Sequence, residues 1–194
     1  ACTGVQPPPG STTSSTALPS SPFDPTTTAP PAPSGPRLAY RSADEIGVVD
    51  GTTVVASVAG TFPPSNDLIT TEDYRFVFAR TADNTLTTLD VSTGESNTLP
   101  VNVGSAVGTG GGSTVVWWEQ PNRLMQLDLA DPDAQPALAQ IVDLPPVAGI
   151  RPGEPRLIVA RGGTAVIARV EQPPSPFGGP DTLYAVRGSV PPAS

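Results

Sequence analysis

From residue 37 onward the sequence repeats itself about every 39 residues, so the chain must build several copies of one small unit. Leu86-Thr87-Thr88-Leu89-Asp90-Val91 aligns with Leu124-Met125-Gln126-Leu127-Asp128-Leu129 at an offset of 38. Leu38-Ala39-Tyr40-Arg41-Ser42-Ala43-Asp44 mirrors Val77-Phe78-Ala79-Arg80-Thr81-Ala82-Asp83. Residues 68–80 match 157–169 in length and pattern, and 106–118 fit the same frame. Four repeats therefore end a strong strand near Arg41, Arg80, Trp118 and Arg169.

Within each repeat, short apolar runs rich in β-branched residues alternate with Gly, Pro, Asp and Asn, the pattern of strands and turns. Helical spacing is nowhere sustained. The best helix candidate, residues 128–139, is cut by Pro132 and Pro136. Fourth strands are expected at 54–58, 97–101 and 139–142. A period near 40 with four short strands is that of a β-propeller blade. The expected fold is thus all-β, a β-propeller-like domain of about four blades over residues 37–194, with a β-sandwich of the same strands as the alternative. The rhythm of a strand, an Asp turn and Leu-x-x-Leu-Asp running to Gly94 resembles bacterial propeller repeats of the WD40, TolB and YVTN kind, over roughly residues 37–188.

Residues 1–36 are different in kind. Pro, Ser or Thr fills 23 of these 36 positions, and Asp24 is the only charge. With Leu18 and Phe23 isolated, no apolar face offsets the entropy of ordering, so an extended tether is expected. Near its start, Ala1-Cys2-Thr3-Gly4 resembles the processing site of an exported bacterial lipoprotein. That resemblance implies a removed signal peptide, a diacylglycerol on the Cys2 thiol and a place on the extracytoplasmic face of the plasma membrane, in the cell envelope. In that family the Cys is the first mature residue, whereas Ala1 precedes it here. No run approaches the roughly 18 apolar residues of a spanning helix, so the expected membrane link is a lipid anchor.

Composition removes whole classes of chemistry. There is no His, so neither a Ser-His-Asp nor a Cys-His arrangement can be built. The single Cys allows no internal disulfide and no thiolate cluster. A net charge of -8 without a cationic face argues against nucleic acid. All ten basic residues are Arg, which together with 26 Pro and 19 Gly suggests a GC-rich genome of the actinobacterial type.

Few residues stand out as sites. Adjacent strand residues face opposite ways, so of Trp117 and Trp118 one should enter the core while the other reaches the surface and stacks on a sugar or a partner. Packing of both between repeats is the other reading. Residues 108–112, Gly-Thr-Gly-Gly-Gly, fail the phosphate-loop spacing and are expected as a hairpin turn. Asp44, Asp83, Asp90 and Asp128 recur with the repeats, as turn-bonding carboxylates do. The Pro-rich insertions 144–155 and 172–180, with Pro145, Pro146, Pro152, Pro174 and Phe177, form the expected contact surface. Neither catalytic nor metal-binding residues nor a cofactor are expected. The leading expectation is a non-catalytic, lipid-anchored accessory or scaffold subunit that docks on a membrane protein complex, respiratory assemblies included. A solute- or glycan-binding lipoprotein is the alternative, and an exported hydrolase using carboxylates is the weaker one.

Overall fold

The computed structural model describes residues 37–65, 67, 70–171, 180–188 and 190–193. Among them the regular elements are all strands: β1 (Arg37–Arg41), β2 (Glu45–Asp50), β3 (Thr53–Ala59), β4 (Phe76–Arg80), β5 (Leu86–Asp90), β6 (Ser96–Leu99), β7 (Val107–Gly111), β8 (Thr114–Glu119), β9 (Arg123–Asp128), β10 (Ala137–Ile141), β11 (Arg156–Arg161), β12 (Thr164–Val170), β13 (Asp181–Arg187) and β14 (Val190–Ala193). They form four antiparallel sheets in chain order. Sheet I is β1-β2-β3, sheet II β4-β5-β6, sheet III β7-β8-β9-β10 and sheet IV β11-β12-β13-β14. Every connection inside a sheet joins neighbours, so each repeat is a meander and each sheet is one repeat.

The expected third and fourth strands are β5, β9 and β13, and β3, β6 and β10. Two of the expected fourth strands stop early. Val101 and Val142 lie beyond β6 and β10 and are buried as plugs between sheets. The opening strand of the second repeat is reduced to an isolated bridge of Thr70 with Val77, and Leu68 and Ile69 lie outside the described residues. Residues 128–139 end β9, turn through Asp131 and begin β10.

One expectation is corrected at residues 108–112. Gly108, Thr109, Gly110 and Gly111 belong to β7, and only Gly112 and Ser113 turn. The glycine at 108 is there for close approach: a Cβ would stand 2.4 Å from the carbonyl oxygen and 2.6 Å from the amide nitrogen of Ala160 in β11. A run of glycines reads as a turn by composition, yet here it lets two strands from different sheets touch.

Three apolar clusters lie between successive sheets. Ile46 and Val48 of sheet I meet Val77, Ala79 and Leu89 of sheet II. Phe78 and Leu86 of sheet II meet Val107, Val115, Trp117 and Met125 of sheet III. Val116, Trp118 and Leu124 of sheet III meet Leu157, Ile167 and Tyr184 of sheet IV. Sheets II and III are therefore covered on both faces, which explains why Phe76-Val77-Phe78-Ala79 and Val115-Val116-Trp117-Trp118 are unbroken apolar runs. Successive residues still alternate, but each side finds a core.

Candidate contact surface

Trp117 and Trp118 do point opposite ways, yet neither reaches solvent: they are 0% and 1% exposed. Trp117 packs against sheet II and Trp118 against sheet IV. The surface-indole reading is corrected and the reading that both pack between repeats holds, because β8 sits in a sheet flanked on both sides. Each buried indole removes roughly 200 Å² from water, on the order of 5 kcal/mol of hydrophobic stabilisation. Neither ring is available to stack on a sugar.

The Pro-rich excursion 144–155 is on the surface and tied down at both ends. Leu144 packs on the cluster between sheets III and IV. The Arg169 guanidinium donates to the Pro145 carbonyl at 2.6 Å, the Gly153 amide to the Val170 carbonyl at 2.9 Å, and the Gln120 amide to the Pro155 carbonyl at 2.7 Å. Pro145 and Pro146 are exposed and Pro152 is half-buried. Proline's fixed φ makes such a loop stiff before any partner arrives. Pro174 and Phe177 of the second insertion, like Cys2, lie outside the described residues.

Arg169 is a buried charge that composition alone does not flag. It is 6% exposed, pairs with Glu171 and lies over the Tyr184 ring at 5.4 Å. Tyr184 in turn donates its hydroxyl to Glu171. That hydroxyl bond and Arg169 hold the Glu171 carboxyl below its usual range, while burial and Glu171 push the Tyr184 phenol up. The network fixes the base of the loop to sheet IV.

The recurring aspartates behave mostly as turn residues. Asp90 accepts from the Ser92 amide at 2.8 Å and pairs with Arg75 at 3.0 Å. Asp128 accepts from the Ala130 amide at 3.0 Å. Asp44 differs, accepting from the Ser42 hydroxyl at 2.7 Å. Burial pushes the Asp90 carboxyl up, but the Ser92 bonds and Arg75 outweigh it and leave it below the ordinary range; Asp73 behaves alike through Ser113 and Thr71. A carboxylic acid that donates a proton to a leaving group needs the opposite shift. An open groove of about 620 Å³ between sheets II and III is lined by Arg75, Asp90, Asn97, Asp128 and Leu129. Its most buried carboxylate, Asp90, is already committed to Arg75 and Ser92.

A second residue that the sequence does not announce is Glu72. Its Oε1 accepts from the Gly162 amide at 2.7 Å and the Thr109 hydroxyl at 3.3 Å, so the turn before β4 touches both sheet III and sheet IV. Next to it Asp73 accepts from the Thr71 hydroxyl at 2.6 Å and from Ser113, and its amide donates to the Gly112 carbonyl at 3.3 Å. These bonds hold Tyr74 at φ 59°, a backbone region that costs a non-glycine residue about 1–2 kcal/mol. Only the carboxylate of Glu72, separated by 90 residues from Gly162, could have signalled this, and no local pattern encodes that pairing.

No family model matches the chain, and no curated protein matches it in sequence.

Proposed function

We propose that this chain is a non-catalytic, lipid-anchored envelope protein whose repeat domain docks on a membrane protein complex as an accessory or scaffold subunit. The observation that carries the reading is the excursion 144–155. It exposes Pro145 and Pro146 on a loop whose base is fixed by Arg169, Gly153 and Gln120. A preorganised surface loses little entropy on binding, which is where affinity between proteins is commonly spent. The glycan-binding alternative loses its stacking rings with the burial of Trp117 and Trp118.

The repeat domain is a partial propeller in this reading. Its support is the convergence of first strands: β7 and β11 touch at Gly108 and Ala160, and Glu72 of the second repeat reaches the fourth. Sheets stacked as plain layers would keep the second and fourth repeats apart. Cys2, acylated, holds the tether to the membrane.

The test is purification of the full chain from native membranes, beside a Pro145→Asp/Pro146→Asp variant and a Cys2→Ser variant. A membrane protein is expected in stoichiometric amount with the wild type and lost with the loop variant, while Cys2→Ser releases the chain to the soluble fraction. A wild-type chain without a stoichiometric partner sinks the docking reading, and membrane retention of Cys2→Ser sinks the anchor.

A further inference from the structure

Among the described residues, the two end sheets each pack an apolar cluster on one face. On sheet I, Ile46 and Val48 face sheet II, and the opposite face carries the cross-strand row Leu38–Val49–Val54. Leu38 is 61% exposed and Val54 52%. On sheet IV, Leu157, Ile167 and Tyr184 face sheet III, and the opposite face carries the row Val159–Val166–Ala185 and, beside it, Leu183 next to the buried Ala168 and the ion-paired Arg156. Leu183 is 53% exposed and the neighbouring Ile158 43%. These exposures mean that the two faces do not cover one another within one chain.

Each face also carries an unbalanced charge at one end, of opposite sign, while the far end of the sheet IV face is neutralised by the Arg156–Asp181 pair. Beyond Leu38 on sheet I lies the Tyr40–Gly47–Ser57 row, with the Tyr40 hydroxyl donating to Glu45 on the same face. Sheet IV ends in the row Arg161–Thr164–Arg187. Both arginines are exposed, and neither forms an ion pair within the described residues. Setting the Glu45 end against the Arg161 and Arg187 end places the apolar rows of the two sheets opposite one another.

We infer that the occupant of both faces is a second copy of this chain, with sheet I of each copy packed on sheet IV of the other. Area favours two such contacts over one. At a strand spacing of ~4.8 Å and a rise of ~3.3 Å per residue, the faces span roughly 300 Å² for sheet I and 400 Å² for sheet IV. Either alone falls well short of the ~800 Å² per partner of a stable complex, and both together approach it. Two head-to-tail contacts related by a two-fold axis close on themselves, so the assembly stops at two. The packing repeats what sheets I to IV already do, a sheet face meeting a sheet face about 10 Å away. It involves neither the loop 144–155 nor the lipid, and so stands apart from the docking proposed above.

Analytical ultracentrifugation of the full chain, its tail unacylated, reads the mass directly, with Leu38→Arg and Leu183→Glu as probes. The wild type is expected as a dimer and each variant alone as a monomer, at least tenfold weaker in self-association. In that alignment the row of position 38 meets the row of position 183, two rows from the Glu45 and Arg161 ends, so either variant alone sets a charge against the apolar side chains of the facing sheet. A one-to-one mixture of the two variants is expected to dimerise, since one of its two contacts is wild-type and the other pairs a guanidinium with a carboxylate. Blue-shifted emission from Trp117 and Trp118 verifies that each variant is folded; one that fails is replaced by Val54→Arg or Ala185→Glu on the same face. A wild type that sediments as one chain or as more than two overturns the inference. So does a folded Leu38→Arg that still dimerises, as a sheet IV to sheet IV contact would allow, or a mixture that stays monomeric.

Discussion

Trp117 and Trp118 are matched in burial and differ at one atom. The Trp117 indole N–H donates to Glu119 at 3.4 Å, whereas the Trp118 indole N–H has no acceptor among the described residues. A buried donor left unpaired costs about 1–3 kcal/mol, so its removal offsets part of the volume lost on truncation. Trp118→Phe is therefore expected to destabilise by at least about 1 kcal/mol less than Trp117→Phe. Urea unfolding of both variants measures the difference, and an equal or reversed order would remove the indole nitrogen as the cause. At this scale the sequence named the pair and the alternation of their directions correctly. It left one surface indole and two packed ones as alternatives, because the choice depends on Phe78 and Leu157, about 40 residues away on either side.

At the scale of the element, strands and turns were largely legible: β5, β9 and β13 fall where aligned Leu residues put them. The miss was β7, where glycine composition stood for a turn and tertiary contact overrode it. Gly108→Ala is expected to cost about 1–3 kcal/mol or more, since the new methyl would meet Ala160 backbone, which cannot move aside as a side chain can. Gly104→Ala has open space at its Cβ and is expected within about 0.5 kcal/mol of wild type. Thermal unfolding of the two side by side decides it. A neutral Gly108→Ala would mean that β7 and β11 separate without penalty. The excursion 144–155 was equally legible as a loop, but its anchoring by Arg169 was not, because the partners Pro145, Glu171 and Tyr184 come from separate elements.

Over the whole molecule, Glu72 joins parts that no strand ladder joins. Loss of its bond to the Gly162 amide removes a charge-assisted hydrogen bond worth about 1.5–3 kcal/mol. Glu72→Ala is thus expected to speed hydrogen exchange at Gly162 by roughly tenfold or more, while Glu72→Gln, which keeps an acceptor oxygen, restores most of the protection. Unchanged exchange in Glu72→Ala would show that sheet IV holds its place without the second repeat. The sequence by itself determined the all-β class, the repeat and its strands, because strand formation follows from period-two patterning and turn residues within a few positions. It also set the compositional break after residue 36 and excluded histidine and multi-cysteine chemistry. Only the tertiary structure decided which faces are covered, since burial of a sheet's second face requires another sheet a full repeat away. That is why Trp118 lies in a core while Leu38 and Leu183, no less apolar in the sequence, face solvent.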